Sequence, residues 1–273
     1  MKTAASSVLL SSLIFAGHAF AHVGIANNTL PISAAGQAAF TVANTSSEIL
    51  FLIPHGCTPS ETQPVAPANL DTTRIEITVP AAIVAATTAA SLRPSHSGEF
   101  GLVERTSLND GGIKFTWTKN TAVSAADDQL YKVSIRLKTP AVASASDVAI
   151  KKYQFPAIQT CSSAGVNYVM DWGLSSPTLL SFPEKRKGFN QYSLDASTVG
   201  DFSAASGTST LTAKLKSYFG DAAILWVNKR GYSPNANTLS KIDALANADR
   251  TYSNLAAEQG TSLSTSDIIW VKY

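Results

Sequence analysis

The sequence predicts a mainly β chain, an antiparallel β-sandwich followed by a smaller C-terminal α+β module. Three observations predict it. From His22 to about Leu174, apolar and polar residues alternate in short runs bounded by turn formers. Past Ser175 that texture breaks, with Ser175-Ser176-Pro177 followed by Ser181-Phe182-Pro183 and the charged patch Glu184-Lys185-Arg186-Lys187. Beyond the break, apolar residues recur at helical spacing between two short apolar runs.

The chain opens with Met1-Lys2-Thr3, an apolar run over 8–16 and Ala19-Phe20-Ala21 directly before His22. A positive start, a short apolar stretch and a small-x-small site in that order are a secretion signal, cut after Ala21. The apolar stretch falls short of the roughly 20 residues that cross a bilayer. No cysteine stands at the cleavage site, so neither a transmembrane anchor nor a lipoprotein is expected. The expected location is the periplasm or the exterior.

Next come the strands. Arg74-Ile75-Glu76-Ile77-Thr78-Val79, Gly112-Ile113-Lys114-Phe115-Thr116-Trp117 and Leu130-Tyr131-Lys132-Val133-Ser134-Ile135-Arg136-Leu137 each alternate with period two. Such runs are half-buried antiparallel strands, and seven or more separated by Pro, Gly, Asn and Asp suggest a sandwich of immunoglobulin-like type. The Pro-, Ala- and Thr-rich stretch 58–71 reads as a loop or insertion. Residues 81–90 are too small and bland to classify. The domain boundary is expected after residue 176.

In the module 177–273, whose role the sequence leaves open, Leu211, Leu215 and Phe219 imply a short helix ending at Gly220. Leu239, Ile242, Leu245 and Ala246 imply another, with Thr238 as its N-cap. The runs 223–227 and 268–271 look like strands, and their tryptophans, Trp226 and Trp270, read as core.

Net charge is +2, and the one short charged patch gives no reason to expect nucleic acid or an acidic membrane surface as partner. The two cysteines, Cys57 and Cys161, read as one disulfide in an oxidising compartment, the alternative being two buried thiols. A closed loop of about that length is worth roughly 4 to 5 kcal/mol in the chain-entropy model.

Three histidines remain after export: His22, His55 and His96. A histidine in first position differs from any other, because its free α-amine and its Nδ1 can close one chelate ring on a metal. The amine has an unperturbed pKa of about 7.7 to 8, so a divalent metal competes readily with its proton. Nitrogen donors of this kind suit Cu(II), at the top of the divalent series. No Gly-x-Ser-x-Gly elbow, His-Glu-x-x-His zinc motif or glycine-rich phosphate loop is present. A Cys57–His55 nucleophile pair would need a thiol that the disulfide consumes.

His22-Val23, Phe51-Leu52-Ile53-Pro54-His55-Gly56-Cys57, Phe155-Pro156-Ala157-Ile158-Gln159-Thr160-Cys161 and Val169-Met170-Asp171-Trp172 stand in this order. Together they resemble the YcnI-like family of exported copper-binding proteins, over about residues 22–174. The resemblance implies that His22 holds Cu(II) through amine and imidazole, with Trp172 close to the metal. Trp172 would line the site without ligating, since an indole N–H only donates; its alternative is an aromatic core plug. Some relatives carry a glutamate where this chain has His55-Gly56. His55 then either replaces that carboxylate as a second imidazole ligand or hydrogen-bonds the backbone beside the disulfide. Arg93-Pro94-Ser95-His96-Ser97-Gly98-Glu99-Phe100 stands where many relatives have a Pro-Gly-Trp turn, and His96 reads as a solvated loop residue. Asp171 is expected on the sheet face opposite Trp172.

The function expected is non-enzymatic: capture, trafficking or homeostasis of Cu(II), with a copper-trafficking protein as a partner. A copper-dependent monooxygenase is the first alternative. It needs a second brace histidine, from His55 or His96, and usually a flat aromatic surface for a glycan. The second alternative is a metal-free adhesive module whose C-terminal part binds a surface.

Overall fold

Alternating side chains decide which faces meet, and the segments that alternate pair into two facing antiparallel sheets. The computed structural model describes residues 23–26, 39–96, 98–101, 103–120, 130–203, 211–249, 252–255 and 263–273. Residues 1–21, where an export signal is expected, and His22 lie outside the described residues. In chain order the first strands are β1 (Gly24–Ala26), β2 (Ala39–Val42), β3 (Ser46–Ile53), β4 (Thr72–Val79), β5 (Arg93–His96), β6 (Glu104–Ser107), β7 (Ile113–Thr118) and β8 (Tyr131–Lys138). Then follow β9 (Lys151–Gln154), β10 (Ala157–Ser163), β11 (Val166–Asp171), β12 (Thr178–Phe182), β13 (Phe189–Ser193), β14 (Ile224–Val227), β15 (Arg230–Tyr232), β16 (Ser253–Asn254) and β17 (Ile268–Lys272). The helices are α1 (Ala81–Thr87), α2 (Val199–Phe202), α3 (Leu211–Tyr218) and α4 (Ala236–Ala248).

One sheet runs β1-β3-β8-β5 and the other β11-β10-β4-β7-β6. Ile49, Phe51 and Ile53 of β3 point inward with Val133, Ile135 and Leu137 of β8, and meet Ile75, Ile77, Phe115 and Trp117 from the other sheet. These side chains are at most 5% exposed, which makes this the first hydrophobic core of an immunoglobulin-like sandwich. Trp117 spans it, its indole N–H donating to the Ser95 carbonyl of β5 at 3.1 Å. Cys57 and Cys161 form the disulfide, with Cα atoms 6.0 Å apart, joining the segment after β3 to β10 of the facing sheet. The stretch 58–71 is a loop, yet it is tied down. Gln63 exchanges backbone hydrogen bonds with Val169 at 2.8 and 3.0 Å, covering the edge of β11 that would otherwise present open donors and acceptors.

A second core belongs to the C-terminal α+β module. Its sheet runs β13-β17-β14-β15-β16, and the inward side chains Leu225, Val227, Ile269 and Val271 pack with Phe202, Leu215 and Phe219 of the helical segments. The helix expected at Leu211 is α3, and Phe219 follows its last turn.

Between the cores lies a three-stranded sheet, β2-β12-β9, in which β12 pairs parallel to β2 and antiparallel to β9. Alternation makes it a shared layer. Leu179 and its partner Ala39 face the first core, whereas Leu180 and its partner Phe40 face the second. The residues just past 176 therefore build both halves.

Candidate metal centre at the β1–β3 end of the sandwich

The short strand β1 pairs antiparallel with the end of β3, Gly24 opposite Leu52 and Ile25 opposite Phe51. Val23, the residue that follows His22, is 2% exposed and belongs to the first core. β3 ends at Ile53, and Pro54-His55-Gly56-Cys57 continues from it. Val23 and the segment that carries His55 thus stand at the same end of this ribbon.

His55 is half-buried and its backbone is clamped from two directions. Two residues on, Cys57 is fixed by the disulfide, by its own N–H to Cys161 Sγ at 3.1 Å, and by reciprocal backbone bonds to Leu70. From β10, the Gln159 amide donates to the His55 carbonyl at 2.8 Å and to Thr72 Oγ1 at 2.7 Å. On the ring, Nδ1 lies 2.5 Å from the Gly56 carbonyl. A carbonyl only accepts, so Nδ1 carries a proton, and in the neutral ring Nε2 is the nitrogen with the lone pair. That is the arrangement by which a metal-binding histidine is oriented, its other nitrogen donating to a backbone carbonyl. The two roles that the sequence leaves open for His55 are compatible.

Gln159 was not singled out in the sequence as a site residue, although it stands in the Phe-Pro-x-x-Gln-x-Cys segment. It is fully buried, and its Oε1 meets no hydrogen-bond partner among the described residues. A buried acceptor left this way is costly and is a mark of a positioning role or of an unfilled contact.

Trp172 follows β11 directly, its backbone N–H donating to the Ala157 carbonyl at 3.1 Å, and it is 7% exposed within the first core. Ala157 and Gln159 are alternate residues of β10, so Trp172 and the group that holds His55 stand on one inner face. Asp171 is exposed, and its carboxylate accepts the Gly173 N–H at 3.0 Å in a turn cap. It faces away from Trp172, as the alternation predicts.

His96 is exposed, as expected of a solvated residue, but it is the last residue of β5 and not in a loop, and it pairs with Val133. The sheet order β1-β3-β8-β5 puts it on the opposite edge from β1, about 14 Å across at the usual strand spacing. β3, from which His55 continues, is two strands from β5, roughly 10 Å across. Among the described residues no group of three or more His, Cys, Asp or Glu side chains is arranged to hold a metal, and His22 is not one of those residues.

The reading of Trp226 and Trp270 as core is also corrected. Trp270 is 41% exposed and Trp226 half-buried, both on the outer face of the C-terminal sheet, because Leu225, Val227, Ile269 and Val271 take the inner one.

No family model and no curated protein matches the chain. Among solved structures, an uncharacterized protein from Nocardia farcinica described as having an immunoglobulin-like fold is similar at 20% identity, over 60% of this chain and 99% of that one, with a TM-score of 0.34. The seventh ScaB type I cohesin from Pseudobacteroides cellulosolvens is similar at 7% identity, over 60% of this chain and 92% of that one, with a TM-score of 0.29.

Proposed function

We propose that the chain is an exported Cu(II)-binding protein, non-enzymatic, that captures copper and passes it to a trafficking partner. His22, freed at its amine by cleavage after Ala21, supplies the amine and Nδ1. His55 supplies Nε2, and Trp172 walls the site. The observation that carries this reading is the β1–β3 pairing: Val23 is buried one peptide bond after His22, and His55 follows the β3 end to which β1 is paired. The His55 ring, with Nδ1 committed to Gly56, supports it, as does the resemblance to the YcnI-like family. Imidazole and amine nitrogens favour Cu(II) over the other divalent ions. The disulfide accords with a periplasmic or secreted location, and among the described residues no helix is long and apolar enough to cross a membrane.

The test is a copper titration of protein whose first residue is verified as His22, followed by electron paramagnetic resonance. One extra alanine ahead of His22 blocks the chelate and is expected to abolish tight binding. His55→Ala is expected to weaken it at least about tenfold, or 1.4 kcal/mol, and to change the spectrum. Unchanged affinity of the extended protein refutes the reading, and unchanged affinity of His55→Ala removes His55 from the site.

A further inference from the structure

The outer face of the C-terminal sheet carries a line of aromatic side chains that the copper site does not use. Phe189 on β13, Trp270 on β17 and Trp226 on β14 stand on three adjacent strands. Trp226 is directly opposite Trp270, and Phe189, opposite Lys272, is diagonal to it. Phe189 is 63% exposed and Trp270 41%. Single exposed apolar residues are ordinary, whereas three large aromatics side by side on one sheet mark a binding surface.

Trp226 leans over its cross-strand neighbour. A Cβ built on Gly231 of β15 would stand 2.1 Å from Cζ3 and 2.4 Å from Cε3 of the indole. The indole therefore fills the space above Gly231 that a side chain would take. Tyr252 meets the same indole at 6.2 Å between centroids. The row across the sheet ends in amides: Gln191 is opposite Trp270 on one side, and Asn254 is opposite Gly231 on the other. Ile224 and, from α4, Thr238 and Ile242 complete a shallow apolar groove of about 540 Å³.

We infer that this face binds the flat side of an extended β-linked polysaccharide. Pyranose rings present planar C–H faces that stack on aromatic rings, and their hydroxyl edges need polar groups at the margins, such as the amide of Gln191; Asn254 at the other margin donates to Asp243 at 2.8 Å. Strands lie about 4.8 Å apart and Phe189 is also offset by two residues along the strand, so Phe189 and Trp226 are separated by roughly 12 Å, a span that takes more than one sugar of an extended chain to cross. A protein partner or a second copy fits less well. Six residues line the groove, against roughly 20 to 30 a side in a stable protein interface.

The mature full-length protein is mixed with microcrystalline cellulose and, separately, with insoluble chitin, and its depletion from solution is measured. Depletion by at least one is expected, the two arms telling glucan from N-acetylglucosamine polymer. Trp270→Ala is expected to weaken adsorption at least tenfold with the thermal midpoint preserved, and His55→Ala to leave it unchanged. Because Trp226 also covers Gly231, Trp226→Tyr is the companion variant, keeping a stacking ring and retaining adsorption. No depletion by either polymer, or equal depletion by Trp270→Ala, overturns the inference, and so does detection of a copy-to-copy dimer held by this face.

Discussion

Lys119 carries its ammonium only 4% exposed, bonded to both oxygens of Asp71, whose carboxylate is 2% exposed, at 2.8 and 2.7 Å. Tyr131 closes the triad, its hydroxyl donating to Asp71 at 2.7 Å and accepting from Lys119. Two charges in an apolar interior survive only as a pair, and removing one leaves the other desolvated. Lys119→Met is expected to cost about 3 to 5 kcal/mol in urea denaturation, and Asp71→Asn in the same chain to restore part of it. A loss below about 1 kcal/mol would show that the pair is solvated. His55 belongs to the same scale. Its residue type and its place beside Cys57 single it out in the sequence. That Gln159 holds its carbonyl does not show there, because the two residues meet only when β10 crosses beneath the end of β3.

Among the elements, α4 shows where periodicity stops being informative. The spacing of Leu239, Ile242, Leu245 and Ala246 locates the helix, but only Ile242 is buried and Leu245 is 40% exposed. Its N-cap is three residues earlier than Thr238. Asn235 is extended, at φ −83° and ψ 118°, and its Oδ1 accepts the Thr238 N–H at 3.1 Å. Asn and Thr both cap, and the choice is made by the Ser233-Pro234 turn. There Ser233 donates to the Ala223 carbonyl and accepts from the Asn235 N–H, fixing the entry of the chain. Asn235→Ala is expected to lower stability by about 1 kcal/mol, and Thr238→Ala by clearly less, in thermal melts. The strands 224–227 and 268–272 teach the same lesson. Runs such as Ile224-Leu225-Trp226-Val227 are apolar at every position, so period two gives no face, and the tryptophans are outward only because the second core takes their neighbours.

At the scale of the molecule, two cores share the β2-β12-β9 sheet, and the C-terminal module carries two carboxylates held by hydrogen bonds, Asp195 and Asp267. Asp195 is partly desolvated, which alone would raise its pKa. Hydrogen bonds from Ser197 and Thr198 outweigh that and hold it below the ordinary 3.8. Asp267 is held low in the same way, its desolvation outweighed by Asn228 and Ser264, with Arg230 adding to the effect. A carboxyl with a lower pKa folded than unfolded stabilises fully above its unfolded value, and that contribution is lost as pH falls through the folded one. The urea midpoint is therefore expected to fall below about pH 4, and the Asp195→Asn, Asp267→Asn double variant to show a shallower fall. An identical pH profile would contradict it.

By itself the sequence determined what is local or covalent: period-two strands, the helices around 211 and 239, and the pair of cysteines. Those follow from side-chain alternation and from chemistry carried along the chain. Only the tertiary structure decided that β12 serves two cores, that His96 lies across the sheet from His55, that Gln159 clamps the His55 backbone, and that Trp226 and Trp270 face outward. Each of these is a relation between segments distant in sequence, set by which surfaces hydrophobic burial brings together.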